Sequence, residues 1–270
     1  MIRDITIGQY YPGDSWIHRL DPRSKIIITL IYIVQIFFAK DFLGFAAVVI
    51  ALAVTIGISK VPVNFIFRGL KPILLIILFT FVINMFMIDG RVLVKLGFLT
   101  ITREGLYTAF FMAVRLILLI IGSSMLTFVT KPVSLTDGIE ALLSPFRKLG
   151  LPAHELAMMM SIALRFIPTL LEETDKIMKA QQARGADFES GNIFRRAKAL
   201  IPLLIPLFIS AFRIAQDLAM AMEARCYRGG KGRTRMHHMK MGRADAAALI
   251  IAACIFAEMI VQRILLPVIF

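Results

Sequence analysis

The feature that most constrains this chain is a set of five long apolar stretches, residues 26–39, 42–59, 72–88, 105–130 and 246–270. A helix needs about 20 mostly apolar residues to cross a bilayer, with latitude from tilt and from end charges that reach back to the headgroups. Of the 270 residues, 58% are hydrophobic, against roughly 45–50% apolar in a soluble domain. Spans of this kind satisfy their backbone internally as helices. The expected fold is therefore an all-α integral membrane protein with about five transmembrane helices and a cytoplasmic domain of about three more. The first run has only 14 residues between Lys25 and Lys40, so both lysines are expected to reach outward. Lys40-Asp41 leaves almost no loop, which makes the first two spans a hairpin.

The chain carries 31 Lys and Arg against 18 Asp and Glu, a net charge of +13. In a soluble protein that excess points to nucleic acid, whereas in a membrane protein it gathers in cytoplasmic loops. The distribution decides. Residues 1–25 hold four basic residues, 60–71 three and 131–245 eighteen, while the opposite side holds only Lys40, Arg91, Lys95 and Arg103. The N-terminus is expected in the cytoplasm, and an odd number of spans puts Phe270 outside. A seven-span alternative that inserts 151–171 and 199–212 would raise the basic count outside from four to ten, against the same rule. The two stretches read instead as amphipathic helices on the cytoplasmic side. Residues 1–130 then form the membrane domain with the first four spans, 131–242 the cytoplasmic segment and 243–270 the last span. No cleavable signal peptide is expected, because charged residues and a Gly13 turn precede the first apolar run.

Within the cytoplasmic segment, Ser134-Leu135-Thr136-Asp137 is expected to open a first helix, and Gly150 with Pro152 separates it from a second. In the second, Ser161, Arg165, Glu172, Lys176 and Lys179 recur on one face and Leu156, Met160, Leu164, Ile167, Leu171 and Met178 on the other. Gly185 ends it, with Gly191 in the following turn. The third is expected to begin after Asn192, to be kinked or interrupted near Pro202 and Pro206, to carry an Arg213–Asp217 pair, and to stop at Gly229-Gly230. The informative feature lies at the ends. Ala180-Gln181-Gln182-Ala183-Arg184-Gly185 closes one helix and Ala221-Met222-Glu223-Ala224-Arg225-Cys226 the next, both of the form Ala-x-x-Ala-Arg-small. An arginine flanked by small residues at a helix C-terminus is sterically free and opposes the negative end of the helix dipole. Presented twice, it suits two pockets of a dimeric partner; ordinary capping by basic residues is the other reading, and spacing alone leaves both open.

At these residues the sequence resembles the transmembrane T component of energy-coupling factor transporters, bacterial importers of vitamins and trace metals. The resemblance runs along essentially the whole chain. It is carried by Leu20-Asp21-Pro22-Arg23-Ser24-Lys25, Leu164-Arg165-Phe166-Ile167-Pro168, Ala183-Arg184-Gly185-Ala186-Asp187, and Met222-Glu223-Ala224-Arg225 through Tyr227-Arg228-Gly229-Gly230. It implies two coupling helices crossing in an X, each ending in a small-Arg-small motif that docks on one subunit of an ATPase dimer. Ala183, Arg184 and Gly185, with Ala224, Arg225 and Cys226, would fill those roles. It also implies interchangeable substrate-binding S components lying against the coupling helices, where Met158, Met159, Met160, Arg165, Pro168, Pro202 and Pro206 are the candidate contacts. ATP and Mg²⁺ would be bound by the partner ATPases, a heterodimer of two non-identical subunits, and no cofactor by this chain. The setting implied is the bacterial cell membrane, and the module the shared type that serves several S components. Cys226 departs from the family, which usually has glycine or alanine there.

No Gly-x-x-x-x-Gly-Lys-Ser/Thr loop occurs, so ATP hydrolysis by this chain is not expected. His154-Glu155 lacks a zinc protease's second histidine, and Cys226 and Cys254 show no CxxC spacing. His237-His238 sits among Lys231, Arg233, Arg235, Lys240 and Arg243, a cluster suited to anionic lipid rather than to nucleic acid or a metal. Arg115, Glu258 and Arg263 are the charges expected at or near membrane depth, either snorkelling, paired across spans or functional. Nine of the 15 methionines fall in the cytoplasmic segment, where they serve as adaptable contacts for several partners or as fill between helices. The competing functional class is a substrate-binding permease of a dedicated metal-ion or vitamin transporter.

Overall fold

The computed structural model describes residues 10–39, 42–96, 99–188, 192, 194, 198–229 and 239–265. Its packing falls into two compact units, one from the described residues of 8–138 and 239–270, the other from those of 139–238. The protein is an all-α membrane protein, with a single two-stranded hairpin among the described residues.

In the first unit, α1 (Pro22–Phe38) starts where Asp21 caps it. The Asp21 carboxylate accepts from the Arg23 N–H at 2.9 Å, and Pro22, which has no N–H to satisfy, takes the first helical position. After it come α2 (Phe42–Ser59), α3 (Val63–Leu70), α4 (Leu74–Met87), the antiparallel strands β1 (Val92–Leu96) and β2 (Leu99–Thr102), and α5 (Arg103–Val129). The last helix of this unit, here α9, spans Arg243–Leu265.

α5 is the axis. Its 27 residues make about 40 Å of helix, longer than the roughly 30 Å hydrocarbon core. α3 and α4 run antiparallel beside it: the Phe65 and Phe128 rings meet edge to face at 5.1 Å, and at the other end Gly105 lies against the carbonyls of Asn84 and Met85. A side chain at position 105 would collide with them, which is why glycine stands there. α1 is also antiparallel to α5, through the pairs Lys25–Val129, Tyr32–Leu118 and Ala39–Arg115. α9 runs parallel to α1, through Asp21–Asp245, Gln35–Ala252 and the Phe38–Phe256 rings at 5.7 Å. Ile36, Val48 and Phe128 are fully buried where the helices meet. Much of the remaining apolar surface faces outward, Leu75 and Phe42 at 74% exposed, as lipid-facing side chains do.

Several expectations change. The stretch expected at 72–88 forms α4, and a separate short helix not anticipated, α3, precedes it and also packs on α5; the two are broken at Lys71-Pro72-Ile73, where proline cannot continue the ladder. Lys25 does not reach outward; it is buried, with Nζ donating to the His18 and Val129 carbonyls at 3.0 Å each. The last carbonyls of α5 have no partner within their own helix, and Lys25 supplies a donor. Arg115 reaches the carbonyl end of α1. It donates to the Ala39 carbonyl at 2.8 Å and stacks over Phe45. Glu258 accepts from Gln262 on its own helix and meets no basic residue among those described. The β1–β2 hairpin stands outside the all-helical reading.

α6 (Pro132–Leu143) begins in the first unit and ends in the second, where a 3-10 turn (Ser144–Leu149) leads to α7 (Ala153–Ala183), followed by α8 (Ile201–Ala224). α6 opens at Pro132, so Ser134 to Asp137 lie inside it rather than capping it. α8 opens at Ile201 with Pro202 in its first turn and Pro206 inside. Among the described residues no ion pair joins Arg213 to Asp217.

Five helices among the described residues are long and apolar enough to cross a membrane: Phe42–Ser59, Arg103–Val129, Ala153–Ala183, Ile201–Ala224 and Arg243–Gln262. The number matches expectation but the membership differs. α1 and α4, at 17 and 14 residues, fall below that length, and α7 and α8 qualify although they are the least apolar of the five. Lys40-Asp41, Gly191, Arg195-Arg196, Gly230, the Lys231 to His238 stretch and Phe270 lie outside the described residues, as does the Arg263 side chain.

Candidate docking ends of α7 and α8

The two Ala-x-x-Ala-Arg-small sequences fold into the same cap. At the end of α7, the Gly185 N–H bonds the Gln182 carbonyl at 2.9 Å and the Ala186 N–H reaches back to Gln181 at 3.0 Å. At the end of α8, the Cys226 N–H bonds Glu223 at 2.8 Å and the Tyr227 N–H reaches back to Met222 at 3.0 Å. These paired bonds, with a left-handed residue after the cap, define the Schellman motif. Gly185 has φ +87° and Cys226 φ +54°. Cysteine thus takes the left-handed backbone that glycine takes freely and that a side chain disfavours. Arg184 and Arg225 occupy the cap positions with matching angles, φ −87° ψ 7° and φ −88° ψ 12°.

Ala183, Arg184, Gly185, Ala224, Arg225 and Cys226 are all exposed. A Cβ built on Gly185 would meet nothing within 4 Å. Open space on the small side leaves each guanidinium, with its five N–H donors in a planar fork, free to enter an acidic or carbonyl-lined groove. Among the described residues, neither arginine has an ionic partner.

The two helices hold each other at both ends. Pro206 has no N–H, which leaves the Pro202 carbonyl without its helical partner, and Gln181 Nε2 approaches it at 3.4 Å. At the other end, the Tyr227 hydroxyl donates to Met158 Sδ at 3.0 Å. The C-terminal turn of each helix therefore lies by the N-terminal part of the other. Some 39 Å of helix contour separates Met158, and with it the Arg225 end, from Arg184.

Of the other candidate residues, Met158 is half-buried under Tyr227, and Met159 and Met160 are 55% and 44% exposed. Arg165 and Pro168 are exposed along α7, Pro202 is exposed at the start of α8 and Pro206 is half-buried inside it. The structure brings Pro202 and Met158 into the contacts between the helices; the rest are spread along them. The apolar side of α8 is open, with Phe208 62%, Ile209 57% and Phe212 65% exposed. The Gln181–Pro202 and Tyr227–Met158 contacts had no signal in spacing, because neither is set by local periodicity.

The Leu20 to Lys25 motif forms a polar knot at the foot of the first unit. Asp245 Oδ1 accepts from the Asp21 N–H at 2.7 Å and Oδ2 from the Gly242 N–H at 2.8 Å, so one carboxylate ties the start of α1 to the start of α9. Burial pushes the Lys25 ammonium down to about 8 although Asp245 and Asp21 pull it upward. His18 is held below its usual value, chiefly by burial. Its Nε2 donates to the Tyr11 carbonyl at 3.1 Å, leaving Nδ1 to accept from the Ser15 hydroxyl at 2.7 Å, which fixes the neutral tautomer. Among the described residues, no group of three or more His, Cys, Asp or Glu is placed to hold a metal ion.

The helices define a multi-helix all-α membrane protein. Residues 13–237 match the family described as CbiQ, cobalt transport protein. The chain is 60% identical over 263 residues to the energy-coupling factor transporter transmembrane protein EcfT of Thermosediminibacter oceani, covering 97% of this chain and 99% of that one. It is 58% identical over 266 residues to EcfT of Clostridium kluyveri, covering 98% of each, and 46% identical over 251 residues to EcfT of Bacillus subtilis, covering 93% of this chain and 95% of that one. The chain belongs to the transmembrane (T) component family of energy-coupling factor transporters.

Proposed function

We propose that this chain is the non-catalytic coupling subunit of an ATP-driven micronutrient importer, passing the motion of an ATPase dimer to a substrate-binding S component. Arg184 and Arg225 dock on the two ATPase subunits, which are non-identical and hold the ATP and Mg²⁺, while this chain holds no cofactor. The exposed apolar side of α8, with Met159 and Met160 on α7, receives S components that exchange on a shared module. Residues 131–242 lie in the cytoplasm with the N-terminus, and the C-terminus lies outside, in a bacterial cell membrane.

The observation that supports this reading best is the pair of identical caps. A basic residue that merely neutralises a helix dipole needs no small neighbours and no common backbone geometry, whereas docking into two related grooves needs both. Arg184→Ala with Arg225→Ala is expected to abolish co-purification of the ATPases and uptake while the chain still inserts and elutes as a single species. Normal uptake by the double variant rejects the docking role. Each single variant is expected to weaken ATPase retention partially, since one dock remains.

A further inference from the structure

The first unit contains a cavity of about 570 Å³ walled by α1, α2, α5 and α9. It follows α1 from Lys25 to Gln35 and α2 from Ala47 to Ile58, some 15 to 17 Å at 1.5 Å per residue. Its long side opens between α2 and α9, where Ile50, Val54 and Ile251 are 63%, 53% and 56% exposed. The polar side chains along it are already engaged: the Tyr32 hydroxyl donates to the Leu118 carbonyl, the Gln35 amide to Ala252, and the Thr55 hydroxyl to Ala51. Thr29 likewise donates to the Lys25 carbonyl, and Glu258, at the end of the slot away from Lys25, is exposed and accepts from Gln262. Apart from these and Lys25 the lining is mostly hydrocarbon.

One end differs. Trp16 lines it and is 44% exposed, and Lys25 lies beside it. Arg19, between the lining residues Ile17 and Leu20, and Lys60, two residues beyond Ile58, are both exposed. Two of the three Lys25 N–H donors go to the His18 and Val129 carbonyls, leaving one for an oxygen at the mouth. Of the nearby carboxylates, Asp14 is exposed, while Asp21 and Asp245 are buried and accept from backbone N–H groups.

A slot of this shape selects against a polar solute, whose groups would lose water without gaining partners. Left empty, it would forfeit dispersion contacts along four helices. An acyl chain matches its length, its lining and its opening toward the bilayer, and the basic mouth complements an anionic head group. We propose that the slot holds one acyl chain of an anionic phospholipid, drawn from the leaflet on the Trp16 side, with head-group oxygens met by Lys25, Arg19 and Lys60. The lipid then completes the packing between α2 and α9.

The sequence contains one tryptophan, and it stands at the mouth, so its fluorescence reads the site. The full chain would be placed in phosphatidylcholine vesicles containing phosphatidylglycerol, with bromine on the acyl chains of one lipid or the other. Brominated phosphatidylglycerol is expected to quench Trp16 more than brominated phosphatidylcholine at equal mole fraction. Ala51→Phe and Ala248→Phe, which fill the slot from opposite walls, are each expected to bring the excess down to the phosphatidylcholine level. Arg19→Gln with Lys60→Gln, which leaves the slot untouched, is expected to reduce the head-group preference. Native mass spectrometry of the wild type is expected to retain one phosphatidylglycerol adduct that both phenylalanine variants lose. Equal quenching by the two lipids overturns the proposal. So does an undiminished adduct in variants that remain monodisperse, or a photo-crosslinker at Ile251 that captures a second chain or another protein in place of lipid.

Discussion

Gly185 and Cys226 do the same backbone job at different cost. Both stand after an arginine cap with positive φ, a conformation that penalises an L side chain by roughly 1–2 kcal/mol and glycine hardly at all. Cys226→Gly is expected to tighten the α8 cap, by about 0.5–1 kcal/mol once the greater freedom of glycine in the unfolded chain is set against the relief. Gly185→Ala is expected to loosen the α7 cap by about 1 kcal/mol. Hydrogen exchange at the Tyr227 and Ala186 amides measures this directly, and slower protection loss at Ala186 in Gly185→Ala would contradict it. Lys25 is the other residue whose position carries a cost. Its folded value near 8 lies below the ordinary lysine value, so between pH 8 and about 10.4 the unfolded chain binds more protons than the folded one. The Lys25 contribution to stability is therefore lowest below pH 8 and rises through that window. The melting temperature of the detergent-solubilised wild type is expected to rise relative to Lys25→Met across those pH values, and a flat difference would show that the ammonium is not held as described.

At the scale of elements, the sequence makes some features readable and hides others for identifiable reasons. α2 and α5 follow from uncharged runs of sufficient length, and their bounds lie close to expectation. The caps of α7 and α8 are readable because Ala-x-x-Ala-Arg-small is a local pattern and the bonds that form it span six residues. α4, Leu74–Met87, lies within the expected run 72–88, whereas the short helix α3 before it was not anticipated because Arg68 and Lys71 interrupt the apolar run. The lysine at the start of α1 was misread for a related reason. Charge predicts an outward side chain only when no buried acceptor is near, and the Val129 carbonyl is 104 residues away in sequence. The same holds for Arg115, whose acceptor is the carbonyl at the end of α1 rather than water or an acid. The missed hairpin, Val92–Leu96 with Leu99–Thr102, is short, and its strands alternate too briefly to stand out against the apolar spans on either side.

At the scale of the whole molecule, topology decides which helices can meet partners on the cytoplasmic side. Length and composition admit α7 and α8 as well as α2, α5 and α9, whereas the distribution of basic residues argues for five spans that leave α7 and α8 on the cytoplasmic side. The two topologies agree on the side occupied by Cys226, since a pair of added crossings returns the chain to where it began. They disagree about residues 172–198, which lie in the cytoplasm with five spans and outside with seven. Lys179 is exposed near the end of α7 and makes no ion pair among the described residues, so a cysteine there removes no contact on which the fold depends. With Cys226 and Cys254 changed to serine, Lys179→Cys is expected to react with a membrane-impermeant maleimide in inside-out vesicles and to stay unlabelled in intact cells until they are permeabilised. Labelling from the outside would place α7 across the bilayer, and would remove Arg184 from the compartment in which an ATPase could reach it.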